Sequence, residues 1–316
     1  MITIAADLGG TAIKLGVVKD GKLAAQSSLA ADSKNGLSPR LPALAEEIER
    51  LLDSLGLDPG DCHALGLAFP GLVEPGEAKV RATYAKWDDA GGLDLAAWAR
   101  DRLGLPLVME NDTRLALLGE WRAGAGQGHD NLVLVTLGTG LGTSAVIEGK
   151  LLKGVHGQAG VLGGHFAVTR EGARCSCGNV GCAEAESSTS VLPRIARARP
   201  DFANSPLSKR AAIDYGAVFE AARMGDPCAL ALKESAIQVW AQMIVNLIHA
   251  YDPERVIVGG GIMAGAADFF QPMTAQIHAH AHTPWGKVEI VPGALGSAAA
   301  LIGLDALARA NLRMPA

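Results

Sequence analysis

The triplet Glu110-Asn111-Asp112 sits where an apolar run (residues 107–110) meets a helical pattern (residues 113–122). Two uses are open to it. An Asn or Asp at such a junction caps a helix by accepting from its first free backbone N–H groups. A carboxylate among neutral donors also stays ionised near neutral pH. Asp112 could then take the proton of an attacking hydroxyl while Asn111 bonds the same molecule, the chemistry of phosphoryl transfer to an alcohol.

A second acid, Asp7, opens Asp7-Leu8-Gly9-Gly10-Thr11-Ala12-Ile13-Lys14 directly after the first apolar run. Adjacent glycines let backbone N–H groups approach a phosphate, Thr11 offers a hydroxyl, and Asp7 is suited to a magnesium-bound water. Alone, the segment is equally a tight hairpin. The theme returns as Thr136-Leu137-Gly138-Thr139-Gly140-Leu141-Gly142 after residues 132–135. Two such turns at equivalent places are stronger evidence than one, because the phosphates of a nucleotide can be held by donors from each. Val258-Gly259-Gly260-Gly261-Ile262 is a third glycine run, either a seat for adenine and ribose or a plain strand-to-helix turn.

His165 with Cys175, Cys177 and Cys182 gives one imidazole and three sulfurs in the spacing CxCGxxGC, a set suited to closed tetrahedral zinc. Buried thiols without metal are the other reading. The remaining histidines form no comparable cluster and read as surface residues, and Cys62 and Cys228 read as buried apolar side chains.

The elements that must position these residues repeat. Three short strands (residues 2–6, 12–18 and 22–28), with the hairpin signal Asp20-Gly21, precede a helix at 42–55, a strand at 64–69, a helix at 95–103 and a strand at 107–110. After the helix at 113–122 the series restarts with strands at 132–137, 143–147 and 150–152. It closes with strands at 256–258 and 288–291 and helices at 268–281 and 296–310. Residues 155–254 form a mostly helical insertion with the cysteine cluster, ending in a long helix capped by Asp226 with Pro227 at its first position. The implied plan is a duplicated α/β fold of two lobes with the ligand between them. The N-terminal lobe is expected over 1–112, with a helix at about 297–316 packing back on it, and the C-terminal lobe over 113–296.

Composition narrows the function. The 316 residues carry a net charge of −5 and no basic stripe, which argues against nucleic acid as a partner. The first residues show no basic segment leading an apolar one, and the apolar stretch 293–310 is broken by Ser297 and Asp305, so neither an export signal nor a membrane span is expected. A cytoplasmic protein follows, with reduced cysteines.

Together these motifs resemble the ROK family (repressors, uncharacterised reading frames and sugar kinases) of the actin-like ATPase superfamily, whose fold is ribonuclease H-like. The likeness covers essentially the whole chain. It implies that DxGGTxxK (Asp7, Gly9, Gly10, Thr11, Lys14) and GTGxG (Gly138, Thr139, Gly140, Gly142) bind the phosphates of ATP with Mg2+, and that Asp112 is the catalytic base. The signature GHxxxxxxGxxCxCGxxGCxE runs from Gly164-His165 to Glu184 and implies structural Zn2+ on His165, Cys175, Cys177 and Cys182. Sugar contacts are implied for Gly71 in the turn Pro70-Gly71, Asn111, Asp112, His165 and Glu184, and nucleotide contacts for Gly260 and Gly261. A homodimer is implied as well. Two segments depart from the family: residues 160–165 lack the Glu of its GExGH stretch, and Thr83-Tyr84-Ala85-Lys86-Trp87 stands in place of NLxGW. The implied activity is phosphorylation of a hexose, glucose by default, at the 6-hydroxyl. Mannose, fructose, allose, N-acetylhexosamines and β-glucosides are alternative substrates. A sugar-responsive regulator or a non-catalytic sugar-binding protein is the alternative function; regulators of the family carry a helix-turn-helix ahead of the body, and this chain opens on a strand.

Overall fold

The computed structural model of the protein describes residues 1–74, 76–84 and 86–313. The chain runs through β1 (Ile2–Leu8), β2 (Ala12–Lys19), β3 (Lys22–Ala30), α1 (Leu41–Asp53), β4 (Ala64–Phe69), β5 (Gly71–Val73), β6 (Val80–Thr83), α2 (Leu95–Leu103), β7 (Leu107–Asn111) and α3 (Asp112–Ala123). It continues with β8 (Leu132–Leu137), β9 (Leu141–Ile147), β10 (Lys150–Leu151), α4 (Ala183–Ser187), α5 (Leu192–Arg197), α6 (Tyr215–Arg223), α7 (Pro227–Tyr251), β11 (Arg255–Gly259), α8 (Ala266–His280), β12 (Glu289–Pro292) and α9 (Ala299–Arg313).

Two compact units result: residues 1–128, 151–159 and 294–316 make one, and residues 129–150 and 160–293 the other. Each is built on a five-stranded sheet, in the orders β3-β2-β1-β4-β7 and β10-β9-β8-β11-β12. In the first, β1 pairs antiparallel with β2 and parallel with β4, and β4 pairs parallel with β7. In the second, β8 pairs antiparallel with β9 and parallel with β11, and β11 parallel with β12. The plan is the same twice. In each unit a glycine turn joins the first strand to its antiparallel neighbour, at the carboxyl end of the parallel strands.

Buried apolar strands explain the sheet order. All six residues of β4 are buried, as expected of a central strand covered on both faces. Leu44, Ile48, Leu51 and Leu52 of α1 pack on one face with Ile4, Leu65 and Leu67. On the other face α3 and α9 contribute Leu115, Leu118, Leu301 and Leu304 against Ala5 and Ala68. These two helices lie unusually close, because a Cβ on Gly119 would overlap the Ala299 carbonyl and one on Gly303 the Leu115 carbonyl. Buried Glu120 fastens the entry to α9 by accepting from the backbone N–H groups of Ala125, Ala294 and Leu295 at 2.8–3.0 Å.

This packing corrects the division at 112/113. Helix α3 and the turn at 124–128 lie in the first unit because α3 docks on α9, and residues 155–159 lie there too, which shortens the expected insertion. The expected closing helix is α9, starting at Ala299; residues 314–316 of that expectation lie outside the described residues. The hairpin β5–β6 was not expected from sequence. Asp226 caps α7 by accepting from Ala229 N–H, with Pro227 next to it. No described helix is long and apolar enough to cross a membrane.

Candidate active site

In the first unit the register brings the acids to one edge. Asp7 pairs with Lys14 across the β1–β2 hairpin and with Ala68 on β4, and Phe69 of β4 pairs with Asn111 of β7. Asp7, Gly71 and Asn111-Asp112 therefore stand at the carboxyl ends of three parallel strands, where open α/β sheets hold ligands.

Asn111 serves as the cap foreseen for this triplet. Its Oδ1 accepts from Thr113 and Arg114 N–H at 3.1 and 3.2 Å, and its Nδ2 donates to the Gly71 carbonyl at 3.1 Å. One amide hydrogen is left for another partner. Asp112 is the first residue of α3; its Oδ1 accepts from Thr113 N–H at 2.7 Å and Oγ1 at 3.3 Å. Among the described residues Oδ2 has no partner. Burial and the neighbouring charge of Asp7 push the Asp112 carboxyl up to about 6, against the opposing pull of Thr113 and Lys86. Asp7 is raised as well, by burial, although Lys14 and Lys86 pull the other way. Lys14 Nζ lies 3.7 Å from Asp7 Oδ2. The Asp7 carboxylate, set beside the turn and met by Lys14 only at 3.7 Å, is a hard oxygen donor of the kind Mg2+ takes, so the residue fits that ion.

Beneath the triplet is a buried ionic network that sequence reasoning missed. Glu110 Oε1 accepts from its neighbour Asn111 N–H at 2.9 Å and from Arg114 Nη1 at 3.0 Å, and Lys153 Nζ reaches Oε2 at 2.9 Å. Burial opposes the Glu110 charge, but Lys153 and Arg114 outweigh it and hold the carboxyl below the usual range. Arg114, 1% exposed, also donates to the carbonyls of Leu152, Gly157 and Ala159. The network thus ties residues 151–159 to the triplet. Arg114→Leu removes one of the two cations on buried Glu110 and leaves three carbonyls without their donor, so it should cost about 3–5 kcal/mol; denaturant unfolding of the variant measures this. The one signal in sequence was a Glu and an Arg four apart, which across a strand-to-helix junction points to no regular pairing.

Gly9 has no room for a side chain, since a Cβ would come within 2.6 Å of the Ala12 carbonyl oxygen; at Gly10 a Cβ would meet the end of the Lys86 side chain, 2.8 Å from its Cε. Thr11 is exposed at the turn. Behind the turn, the buried Trp87 indole donates to the Leu8 carbonyl at 2.9 Å. Ala85, in the segment that departs from the family, lies outside the described residues.

The second unit has its own glycine turn. The Gly138 N–H donates to the Gly140 carbonyl, and the Thr189 and Ser190 N–H groups donate to the carbonyls of Gly138 and Thr139. Glu184 Oε2 accepts from Leu141 N–H at 2.9 Å and fills the space where a Gly140 Cβ would sit. Gly260, at φ +95°, packs against the Leu137 backbone, and a Cβ on Gly138 would lie 3.9 Å from Gly261 N. Gly138, Thr139, Gly140, Glu184, Gly260 and Gly261 are thereby gathered at the ends of β8 and β11.

Glu184 lies two residues past Cys182, which immediately precedes α4 and belongs to the cysteine cluster. His165 and the three cysteines each place a ligand atom within 4.8 Å of all the others. Cys177 and Cys182 sulfurs are 3.7 Å apart, too far for a disulfide, and Cys175 Sγ is 3.4 Å from His165 Nδ1. Bonds of about 2.3 Å from zinc to sulfur and 2.0–2.1 Å to nitrogen give tetrahedral edges of about 3.8 and 3.6 Å, so the donor set fits zinc in both chemistry and size. His165 is turned into this cluster by its Nδ1. Cys62 and Cys228 are buried, as their isolation suggested.

Two sheets of one strand order, each with a glycine turn after its first strand, define a duplicated α/β protein of the ribonuclease H-like class. The chain belongs to the ROK family, whose profile matches residues 3–311. It is 31% identical to a glucokinase of Thermotoga maritima over 98% of both chains. Among solved structures it resembles a ROK family glucokinase from Streptomyces griseus in complex with glucose and AMPPNP (32% identity, TM-score 0.83, 98% of this chain and 100% of that one). It also resembles a ROK hexokinase from Thermus thermophilus (28% identity, TM-score 0.80, 99% of both chains).

Proposed function

We propose that this chain is an ATP-dependent, magnesium-requiring hexose kinase that transfers the γ-phosphoryl group to a sugar hydroxyl, the 6-hydroxyl of glucose being the first acceptor to test. The observation that carries the reading is Asp112, whose Oδ2 is unbonded and whose carboxyl is raised to about 6 beside Asp7. A base with that affinity is ionised at neutral pH yet close enough to it to take a proton in the transition state. The glucokinase and hexokinase relatives, one with glucose and AMPPNP bound, support the hexose and the nucleotide.

Asp112 Oδ2 accepts the hydroxyl proton as the sugar oxygen bonds to the γ-phosphorus, and the bond from that phosphorus to the β–γ bridging oxygen breaks, releasing ADP. Asn111 keeps the carboxylate in place by capping α3, and by family likeness its free amide hydrogen, Gly71, Glu184 and His165 are sugar contacts. The turns Gly9-Gly10 and Gly138–Gly140, whose Gly9 and Gly138 N–H groups close the turns and leave those of Gly10 and Gly140 as donors, hold phosphates with Thr11, Thr139 and Lys14, and Gly260 and Gly261 hold the nucleoside. Asp7 would hold Mg2+, which when bound neutralises phosphate charge. Zn2+ on His165, Cys175, Cys177 and Cys182 has a structural part. By family likeness the working form is a homodimer, and the free thiols suit the cytoplasm.

The departure at residues 160–165 removes a charge-assisted sugar contact, so the preferred hexose is the open variable. A coupled ADP-release assay over glucose, mannose, fructose, allose, N-acetylglucosamine and a β-glucoside should give sugar- and magnesium-dependent turnover with at least one of them. No turnover with any, at saturating ATP, would contradict the reading.

A further inference from the structure

Lys86 is the cation nearest the first glycine turn that the site so far leaves without a task. Its position is fixed by its neighbour. Trp87 is fully buried, its indole N–H donates to the Leu8 carbonyl at 2.9 Å, and its backbone N–H donates to the Ser33 carbonyl at 2.9 Å. The Ser33 hydroxyl in turn donates to the Gly10 carbonyl at 3.0 Å. Trp87 has a φ of +59°, a left-handed conformation that is an outlier for a bulky side chain and persists only where its surroundings enforce it. The chain is thus bent, at a conformational cost, so that residue 86 leans over the turn. A Cβ on Gly10 would lie 2.8 Å from Lys86 Cε, 3.1 Å from Cδ and 3.2 Å from Nζ.

The ammonium so placed is not consumed by the acids around it. Lys14 pairs with Asp7, whereas Lys86 makes no ion pair or hydrogen bond among the described residues, although its charge is felt at both Asp7 and Asp112. A lysine serving only to neutralise a carboxylate would close on one of them. This one stays at the glycine turn, where its charge acts on the residue suited to magnesium and on the residue suited to the proton. The family's usual NLxGW segment carries glycine at this position, so the charge is a feature of this chain.

We propose that Lys86 is a catalytic residue of this chain, its ammonium bonding a non-bridging oxygen of the γ-phosphoryl group during transfer. The inference rests on the kinase reading above. In a loose transition state negative charge spreads over the three equatorial oxygens of the transferring group, and a cation brought to that place stabilises it. The lysine takes no proton and forms no covalent bond; it acts on the terminal phosphate, which ATP has and ADP lacks.

The test compares the full-length protein with Lys86→Met and Lys86→Arg, measuring kcat with the best hexose of the panel and, by calorimetry with Mg2+, the affinities for AMPPNP and ADP. Lys86→Met should lower kcat roughly 100-fold and weaken AMPPNP about tenfold more than ADP, and Lys86→Arg should restore most of the preference for AMPPNP. A Lys86→Met kcat within threefold of the parent, or equal losses for the two nucleotides, would overturn the proposal. Should Lys86→Met melt well below the parent, Lys86→Arg and Lys86→Gln decide it by the same nucleotide ratio. Failure of the kinase reading looks different: the parent then releases no ADP with any sugar, while the AMPPNP-to-ADP ratio still reports whether Lys86 meets a terminal phosphate. A parent that binds neither nucleotide overturns both.

Discussion

Asp112→Asn will bind nucleotide, transfer no measurable phosphoryl group, and melt at a higher temperature than the parent at pH 7. The loss of turnover, about 10³-fold or more, follows from removing the group that takes the hydroxyl proton. The gain in stability follows from the same environment. In the unfolded chain this carboxyl titrates near 3.8; in the folded one it is raised to about 6 by burial and by Asp7. Below pH 3.8 both states hold the proton and there is no penalty. Between 3.8 and 6 the unfolded chain ionises first, so folding is disfavoured progressively, and above 6 the full penalty applies. A shift of that size corresponds to at most about 3 kcal/mol, and to roughly 1–2 kcal/mol once the partial exposure of Asp112 is allowed for. The amide removes the penalty, so the variant should melt a few degrees higher at pH 7 and level with the parent near pH 4. In the parent, kcat/KM should fall as pH drops through about 6. Melting curves at the two pH values and a pH–rate profile check all three; parent-like turnover in the variant would withdraw Asp112 as the base.

The second large effect is expected at the cysteines. Elemental analysis should find one zinc per chain, and Cys182→Ser should lose it and melt roughly 10 °C lower, the consequence of removing several kcal/mol of metal-coupled folding. The damage should reach nucleotide binding. Cys182 immediately precedes α4, and two residues later Glu184 holds the Leu141 N–H and fills the hollow at Gly140. Loss of the ion frees α4 to move, so nucleotide affinity should fall in step with zinc content during titration with a chelator. Zinc-free protein with unchanged melting and unchanged affinity would contradict this.

The repeated strand plan could be read in advance because its punctuation is local. Asp20-Gly21 forms the tight turn its dipeptide signals, with both residues at positive φ, and Gly104 ends α2 in the left-handed conformation. The cysteine cluster was legible for the same reason, three of its four members lying within eight residues. What escaped depends on distant partners. β5 is three residues long, too short for a period to register, and exists because it pairs with β6 across a turn. The position of α3 in the first unit is decided by α9, nearly two hundred residues away, through Gly119 and Gly303. Arg114 gave no sign of its burial, since the carbonyls it bonds come from residues 152–159. Lys86 registered only as a departure from a motif; its meaning lay in the bend at Trp87.

The first unit is assembled from three stretches of chain, and its last stretch contains the helix that covers Ala5, Ala68, Leu115 and Leu118. During synthesis those side chains emerge early and wait. Every segment of the second unit, residues 129–150 and 160–293, is made before residues 299–313, so this face of the strands made earlier stays open to water until the closing helix arrives. The piece of the molecule translated first is thus among the last to close, and for that interval a greasy face is available to trigger-type chaperones or to other nascent chains.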